Sequence, residues 1–299
     1  MDIIDDFVAD ATFALVTPSA PAVPFVFSAP HSGTVYPRSL LQRTKLSRLT
    51  LRRSEDTFVD DLFAGVGALG APLLKAHFPR VYVDLNRDPA ELDRTMFDGP
   101  VSVPVVGDSA RVAGGLGVIA RIVGEGQDIY DAPLPAQEAA DRLSTCYRPY
   151  HAALDEAVTG AVEAFGSAVL IDCHSMPSGA VRVETPGGPR CDVILGDRYG
   201  RSCAPGLADE FARLLRRGGL AVGRNRPYAG GYITERHGRP PLVHAIQLEV
   251  NRALYMDEGT FVRTANYHPL RSILTDACAG LVKWYLQRQP AYDWPQAAE

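Results

Sequence analysis

Residues 168–177 read Ala-Val-Leu-Ile-Asp-Cys-His-Ser-Met-Pro, and this stretch decides the fold of the chain. Its four leading apolar residues predict a short buried strand that ends in a turn. The strand would deliver His174 to its carboxyl end, which is where an α/β sheet presents ligand-binding and catalytic groups. The sequence therefore favours an α/β fold with a functional histidine at a strand end.

Two further apolar stretches repeat this pattern. Residues 23–29 are strand-like and lead into Pro-His-Ser-Gly, which places His31 directly after a strand. Residues 245–250 read Ala-Ile-Gln-Leu-Glu-Val, so that Glu249 lies inside an apolar run. Two histidines and a carboxylate at strand ends or interiors make a metal hydrolase the first hypothesis.

The composition is that of an ordinary globular chain. It has 299 residues, of which 46% are hydrophobic and 22% are charged, and its net charge is −5. This acidic balance argues against nucleic acid as a partner. No apolar run approaches the roughly 18 residues of a membrane span, and the acidic N-terminus lacks the positive region of a signal peptide. Five scattered cysteines without a CxxC pair favour reduced thiols and a cytoplasmic location.

Strands and helices alternate along the chain, which predicts a single three-layer α/β/α domain over residues 1–299. Further strands are predicted at residues 81–85 and 192–195. Helices are predicted at residues 56–69, 137–165, 206–217 and 268–287. Pro149 should kink or split the second of these helices. Glycine-rich stretches near residues 98–135 and 224–242 are predicted to be long loops that carry specificity.

The candidate metal ligands also have structural explanations. A lone histidine after a strand is as often a satisfied core residue as a ligand, although a pair such as His31 and His174 is harder to explain in that way. Zinc usually takes a third protein ligand, and Asp56 or Glu55 is the nearest acidic candidate. Asp56 could instead cap the amphipathic helix that follows it.

Glu249 and Arg87 are the other residues with two interpretations. An unpaired glutamate buried in an apolar strand costs several kcal/mol, unless strand alternation turns it towards solvent. Beside a metal-bound water, Glu249 would be a suitable general base. Arg87 ends the predicted strand at residues 81–85, where it could form a surface ion pair with Asp84 or Asp88, or clamp a substrate carboxylate through its planar fork.

Six segments, taken in order between about residues 25 and 258, form one larger pattern. They are Ser-Ala-Pro-His-Ser-Gly (28–33), Glu-Asp-Thr-Phe-Val-Asp-Asp-Leu (55–62), Phe-Pro-Arg-Val-Tyr-Val-Asp-Leu-Asn-Arg (78–87), Asp-Cys-His-Ser-Met-Pro (172–177), Gly-Gly-Tyr-Ile-Thr (230–234) and His-Ala-Ile-Gln-Leu-Glu (244–249). Each segment is weak alone, but all six in this order resemble the N-formylglutamate amidohydrolases, also called N-formylglutamate deformylases. The chain departs from the family pattern at Glu235-Arg236-His237.

That resemblance implies a mixed central sheet, similar to that of zinc carboxypeptidase-like hydrolases, and one zinc ion per chain. It implies His31, Asp56 and His174 as the zinc ligands, with Glu55 as the alternative to Asp56. It also implies Glu249 as the catalytic base.

The resemblance extends to the substrate. It implies that Arg87 clamps a substrate carboxylate, and that Arg87 or His244 stabilises the oxyanion. Further substrate-binding residues would be Asn86, Gly230, Gly231, Tyr232 and His244.

The implied reaction is the hydrolysis of N-formyl-L-glutamate to L-glutamate and formate, the last step in one route of histidine breakdown. The partner would be a small acidic N-acyl amino acid, with neither nucleic acid nor membrane involved. Two alternatives stay open: a zinc hydrolase of another N-acyl amino acid or small peptide, and a non-catalytic binding protein for an acidic metabolite. Glu249 separates them, because pure binding has no need of a carboxylate beside a metal-bound water.

Overall fold

A mixed seven-stranded sheet forms the centre of the protein. A computed structural model describes residues 3–4, 12–18, 22–106, 109–124, 126–184 and 191–288. The strands of the sheet are β1 (Phe13–Val16), β2 (Phe25–Ala29), β3 (Leu73–Ala76), β4 (Ala168–Met176), β5 (Val193–Gly196), β6 (Val222–Arg224) and β7 (Val243–Asn251). Their order across the sheet is β6-β5-β7-β4-β2-β3-β1. Strand β4 is parallel to both β2 and β7, whereas β5 is antiparallel to β7 and β1 is antiparallel to β3.

Helices connect and cover these strands. The α-helices of the described residues are α1 (Arg38–Gln42), α2 (Arg48–Leu51), α3 (Val59–Leu62), α4 (Ala110–Ala113), α5 (Gln137–Arg142), α6 (Arg148–Phe165), α7 (Ser178–Glu184), α8 (Pro205–Arg217), α9 (Tyr232–His237) and α10 (Tyr267–Leu286). A π-helical turn at Leu143–Tyr147 joins α5 to α6. Short 3₁₀ helices lie at Arg52–Ser54, Ala64–Leu69, Arg94–Met96 and Arg252–Leu254. Two-residue strands pair Ile3–Ile4 with Tyr36–Pro37, Ile122–Val123 with Gln127–Asp128, and Met256–Asp257 with Val262–Arg263.

The sheet has one apolar core on each face, which confirms the three-layer α/β/α prediction. Alternate residues of the central strands point to opposite faces. Phe27, Ile171 and Leu248 contribute to the core that contains residues of α8 and α10. Val26 and Leu170 contribute to the opposite core, which contains residues of α6.

The face of the sheet that carries Val26 and Leu170 changes from apolar to polar residues along the strands. Near the amino ends of β4 and β7 its residues are apolar, such as Leu170 and Ala245. Two and four residues further along β4, the same face carries Asp172 and His174, opposite Gln247 and Glu249 of β7. The apolar half packs against the helical layer, so the polar half is left to form a site at the carboxyl ends of the parallel strands.

Several predicted elements are confirmed. The predicted strand at 192–195 corresponds to β5, and the predicted helices at 206–217 and 268–287 correspond to α8 and α10. The predicted helix at 137–165 is divided by the π-helical turn just before Pro149, in agreement with the expected split. Strand β4 is longer than predicted and extends to Met176, so His174 lies within the strand and not after it.

Other predicted elements are wrong. Residues 81–85 form turns, held by hydrogen bonds from Tyr82 N to Pro79 O and from Asp84 N to Val118 O, although their apolar side chains are buried as in a strand. The predicted helix at 56–69 is replaced by the short helix α3 and a 3₁₀ segment.

The two predicted loops contain regular structure. The 98–135 stretch includes α4 and a small hairpin, with residues 107–108 and 125 outside the described residues. The 224–242 stretch includes α9. None of the helices of the described residues is long and apolar enough to cross a membrane. All five cysteines are free thiols, and four of them are buried.

Candidate metal centre and active site

Three of the predicted site residues meet at the carboxyl end of the sheet. His31 follows β2, His174 lies near the end of β4, and Asp56 precedes α3. One ligand atom from each lies within 4.8 Å of the others, and all three residues are buried. His31 is positioned by Gly33, whose α-carbon approaches the Phe78 carbonyl so closely that a β-carbon would lie 2.1 Å from that oxygen.

The two imidazoles turn the same nitrogen towards Asp56. His174 Nδ1 lies 2.9 Å from Asp56 Oδ2, and His31 Nδ1 lies 3.4 Å from the same oxygen. The opposite nitrogens contact other carboxylates: His31 Nε2 lies 2.8 Å from Asp84, and His174 Nε2 lies 2.8 Å from Asp172. A histidine that ligates a metal usually donates its other ring N–H to a carboxylate, a backbone carbonyl or a water, and here both partners are carboxylates.

His31 Nδ1 gives a direct test of whether a metal fits. This atom is buried and makes no hydrogen bond within the described part of the chain. A buried polar atom without a partner is costly, so its position needs an explanation. A cation between His31, His174 and Asp56 would supply the missing partner, and the donor set of two imidazoles and one carboxylate suits zinc.

The two carboxylate oxygens of Asp56 have different partners. Oδ1 accepts hydrogen bonds from Ser175 Oγ at 3.0 Å and from Arg252 Nη2 at 3.1 Å, whereas Oδ2 faces the histidines. The N-cap residue of α3 is Phe58, and no side chain caps that helix. The helix-cap explanation of Asp56 is therefore wrong.

Glu55 points into a different network. Its carboxylate accepts hydrogen bonds from Tyr36 Oη, from Arg52 Nε at 3.0 Å and from Thr57 Oγ1 at 3.0 Å. The cluster that could hold a metal contains Asp56 and not Glu55. Of the two acidic candidates, the geometry favours Asp56 as the third ligand.

The charges of the cluster reinforce one another. Burial opposes ionisation of Asp56, but the polar contacts with His174 and then His31 outweigh it and hold the pKa of its carboxyl well below the usual value. Burial likewise opposes a charge on His174, yet Asp172 and Asp56 raise the pKa of its imidazole well above the ordinary value. A metal ion would have to displace that proton, so its affinity should depend on pH.

Glu249 lies beside this cluster. It is paired with His174 across the β4–β7 register and is 6% exposed, so strand alternation does not turn it to solvent. Gln247 Nε2 donates to its Oε1 at 2.7 Å, which leaves the second oxygen for proton transfer. Burial is the largest influence and raises the pKa of Glu249 to about 7, with His174 acting in the opposite direction. A carboxyl with such a pKa can both take and return a proton near neutral pH.

A cleft of about 320 Å³ opens over these residues. Its lining comprises His31, Arg80, Asn86, Arg87, Arg111, His174, Pro227, Tyr228, Ala229, Gly230, Gly231, Gln247 and Glu249. The lining thus brings together both candidate histidines, the candidate base and three arginines. Cationic side chains and a titratable carboxyl around one cavity are suited to binding and hydrolysing a small anionic substrate.

Asn86 is the central hydrogen-bonding residue of the cleft wall. Its Nδ2 lies 3.2 Å from His174 Nε2 and donates to Gln247 Oε1 at 3.2 Å, while its Oδ1 accepts from Ile233 N at 2.9 Å. Gly231 packs directly on this amide, because a β-carbon there would lie 2.3 Å from Asn86 Oδ1.

The backbone on either side of Asn86 is held by one helical segment. His151 Nε2 lies 2.9 Å from the Leu85 carbonyl, and Tyr147 Oη donates to the Arg87 carbonyl at 2.7 Å. Tyr147 belongs to the π-helical turn, which is the kind of irregularity often found near functional sites. Arg87 itself donates from Nε to Leu116 O at 3.0 Å and from Nη1 to Asn86 O at 2.9 Å.

Two predicted substrate-binding residues are not brought to the cleft. Tyr232 is absent from its lining and packs against His151, with ring centroids 5.8 Å apart. His244 lies opposite Val169 at the other end of β7, roughly 16 Å from Glu249 by strand geometry. The prediction that His244 binds substrate or stabilises an oxyanion is therefore wrong.

Sequence reasoning missed several supporting residues. Asp84 holds His31, Asp172 holds His174, and Arg252 holds Asp56. Arg80 lines the cleft and donates from Nε to Asp84 at 2.9 Å. One of these carboxylates had a detectable signal: Asp172 lies two residues before His174, on the same face of its strand. The contact of Asp84 with His31 depends on a turn that the sequence does not reveal.

The fold and the cleft define a class: an α/β protein whose sheet presents a candidate metal-binding cluster beside a buried carboxyl. The sequence model of the N-formylglutamate amidohydrolase family matches residues 23–256. The chain belongs to this family, and the expectation drawn from its six motifs is confirmed.

Individual relatives agree with that assignment. The N-formylglutamate deformylase of Pseudomonas aeruginosa is 28% identical over 276 residues, which cover 89% of this chain and 95% of the relative. The enzyme of the same name from Pseudomonas putida is 27% identical over 272 residues, with the same coverage. The crystal structure of N-formylglutamate amidohydrolase from Ralstonia eutropha JMP134 matches 93% of this chain and 99% of its own, with 38% identity and a TM-score of 0.87.

Proposed function

We propose that this protein hydrolyses N-formyl-L-glutamate to L-glutamate and formate, with one zinc ion held by His31, Asp56 and His174. The observation that carries the proposal is the buried cluster of these three residues beside Glu249. The names of the relatives supply the substrate. The same reaction would serve as the last step in one route of histidine breakdown.

Each candidate ligand has a separate support. Asp84 and Asp172 fix the two imidazoles through their Nε2 atoms, and Ser175 with Arg252 fixes the carboxylate of Asp56. Zinc bound there would polarise the formyl carbonyl and lower the pKa of a bound water towards neutrality.

Glu249 would act as the general base and then as the general acid. Its free oxygen takes the proton from the attacking water and later returns it to the leaving amine. This double use requires a pKa near the working pH, and burial raises the pKa of Glu249 to about 7. A non-catalytic binding protein has no use for such a carboxyl, so the position of Glu249 favours an enzyme.

The arginines would bind and orient the anionic substrate. Arg87 lies beside Asn86 at the inner wall, where a guanidinium can bind the carboxylate next to the formamide. Arg80 also faces the cleft, and its Nε is held by Asp84. With His244 excluded, Arg80 and Arg87 are the cationic donors that remain on the inner wall for the developing oxyanion.

The departure from the family pattern at residues 235–237 does not reach the cleft. Glu235 pairs with Arg198 at 2.9 Å and Arg236 pairs with Asp155 at 2.7 Å. None of residues 235–237 is part of the cleft lining. The altered motif therefore gives no reason to prefer another N-acyl amino acid as substrate.

Formate release tests the proposal. The zinc-loaded protein is incubated with a panel of N-formyl, N-acetyl and N-succinyl amino acids, and formate or free amine is measured. We expect the highest kcat/KM for N-formyl-L-glutamate, and loss of that activity after chelation with recovery on adding zinc. Preference for another acyl group, or no turnover of any member by zinc-loaded protein, would refute it.

A further inference from the structure

Arg111 differs from the two other arginines of the cleft in how many hydrogen bonds its guanidinium already donates to protein groups. Arg87 donates hydrogen bonds from Nε and Nη1 to backbone carbonyls, and Arg80 donates one from Nε to Asp84. Among the described residues, the guanidinium of Arg111 makes a single polar contact, from Nη1 to Glu91 Oε2 at 3.4 Å. That distance lies beyond the usual range of an N–H···O hydrogen bond. Most of the fork of Arg111 is therefore available to a ligand.

The segment that carries Arg111 is fixed to the site. Arg111 lies in the one-turn helix α4, whose carbonyl at Arg111 accepts from Leu116 N at 2.8 Å. The Leu116 carbonyl accepts from Arg87 Nε at 3.0 Å, and the Val118 carbonyl accepts from Asp84 N at 2.8 Å. Two hydrogen bonds thus join this segment to the turn that supports His31 and Asn86, so Arg111 has a defined position relative to the metal cluster.

The lining of the cleft contains three arginines and one carboxylate, that of Glu249. Arg80, Arg87 and Arg111 all line it, and Asp84 is the carboxylate that contacts the first two, at 2.9 and 3.8 Å. Burial first, and the neighbouring cations Arg80 and Arg111 as well, lower the pKa of Arg87 despite Asp84. Three guanidinium groups around one cavity favour an anionic ligand, and a second carboxylate on that ligand would pair with Arg111.

We propose that Arg111 binds the side-chain carboxylate of the substrate, and that it thereby selects dicarboxylic N-formyl amino acids. The proposal rests on the proposed function, because it assumes that a formyl amino acid occupies the cleft. It assigns a specificity role to the segment at residues 109–118.

The order of the arginines along the cleft follows from the substrate. The formyl group must reach His31, His174 and Glu249, and the α-carboxylate is only two bonds from the amide nitrogen. The inner arginine, Arg87, has a side chain that is 13% exposed, so it suits the α-carboxylate. Arg111 is 43% exposed at the rim, where the distal carboxylate of a glutamyl side chain would lie.

The test compares N-formyl-L-glutamate with N-formyl-L-glutamine, which has nearly the same shape but no side-chain charge. Wild-type protein should prefer the glutamate compound by about 10- to 100-fold in kcat/KM, the usual worth of hydrogen bonds to a charged group. In Arg111→Gln, kcat/KM for the glutamate compound should fall by about the same factor, chiefly through KM. The value for the glutamine compound should change by less than about threefold.

Two matched variants serve as controls. Arg121→Gln removes an arginine that follows this segment, pairs with Asp128 at 3.0 Å and does not line the cleft, and it should keep the wild-type preference. Glu91→Gln removes the weak partner of Arg111 and should keep or increase the preference.

Three outcomes would overturn the assignment. They are a wild type with no preference, an Arg111→Gln variant that keeps the preference, and one that loses activity equally on both substrates. If the wild type hydrolyses neither compound, the proposed function fails on its own. Calorimetry of zinc-loaded protein with glutarate and with butyrate then decides about Arg111: selective loss of glutarate affinity in Arg111→Gln supports it, and unchanged affinity refutes it.

Discussion

Strand β7 carries one ionisable side chain near each end, His244 and Glu249, and these two side chains have different surroundings. At the amino end, His244 packs against Tyr285, with ring centroids 6.1 Å apart, and its Nδ1 accepts from Ala204 N at 3.2 Å. At the carboxyl end, Glu249 lies opposite His174 and beside the cleft. Both residues are buried polar groups in an apolar strand. Burial alone therefore does not mark a catalytic residue.

The electrostatic surroundings separate the two ends. Burial is the one cause that lowers the pKa of His244, which keeps its ring neutral. Burial also raises the pKa of Glu249, but His174, Asp56 and Arg80 act on it as well. The carboxyl end is thus a connected set of charges, and the amino end holds a satisfied neutral ring. Substitutions in the site, compared with substitutions outside it, test this contrast.

The largest expected difference is between Glu249→Gln and His244→Gln. Glutamine keeps the shape of Glu249 and loses its ability to accept a proton, so kcat should fall by about 10²–10⁴-fold. His244→Gln should leave kcat within about threefold of wild type, since its ring lies away from both the cleft and the cluster of His31, Asp56 and His174. Steady-state formate release measures both. Near-normal turnover in Glu249→Gln, with zinc bound, would place the base elsewhere.

Arg87→Lys should have the next largest effect. The lysine cannot reproduce the planar fork that holds the Leu116 and Asn86 carbonyls, so we expect KM for formylglutamate to rise about tenfold, with a smaller change in kcat. The matched substitution Arg263→Lys, on an arginine outside the cleft lining, should leave KM unchanged. Unchanged KM in Arg87→Lys would assign Arg87 a structural role alone.

A smaller effect is expected from two tyrosine substitutions. Tyr147→Phe removes the hydrogen bond to the Arg87 carbonyl, and Tyr285→Phe removes the 2.9 Å contact with Ser167 near His244. Each should cost about 1 kcal/mol in the free energy of unfolding. Only Tyr147→Phe should also raise KM, by about three- to tenfold, because it loosens the turn that carries Asn86. Equal KM values in the two variants would deny Tyr147 a positioning role.

The smallest effect concerns stability at acidic pH. Because burial lowers the folded-state pKa of His244, the unfolded chain takes up that proton first, from about pH 6.5 downwards. Protonation of His244 therefore leaves the free energy of unfolding unchanged at higher pH and lowers it as the pH falls. The urea midpoint of metal-free His244→Gln should drop less than that of wild type between pH 7.5 and 5.5. His151 and His237, whose pKa burial lowers to about 4, should maintain part of the drop in both. An identical drop would contradict the neutral state of His244.

The sequence predicted the parts of the site that depend on a strand and its end. His174 and Glu249 lie in long apolar runs, and such runs become central strands because both of their faces are covered. The strand register then brings the two residues together. The cluster of His31, Asp56 and His174 is present as a group, and its binding of zinc stays a prediction.

The parts that failed depend on contacts that no local pattern contains. Residues 81–85 (Val-Tyr-Val-Asp-Leu) are as apolar as a buried strand, but no strand of the described residues pairs with them, and turns bury their apolar side chains instead. His244 and Glu249 share one motif in the sequence, yet five residues of extended chain place them at opposite ends of the sheet. The chain between residues 87 and 111 gives no sign that Arg111 returns to the same cleft.

Zinc content of three purified proteins tests the central claim most directly. After expression with added zinc, wild type and Glu249→Gln should each contain one zinc per chain, and the double variant His31→Ala, His174→Ala should contain none. Circular dichroism confirms that all three are folded. Zinc retained by the folded double variant would contradict the proposed cluster, and zinc lost from Glu249→Gln would make Glu249 a ligand and not the base.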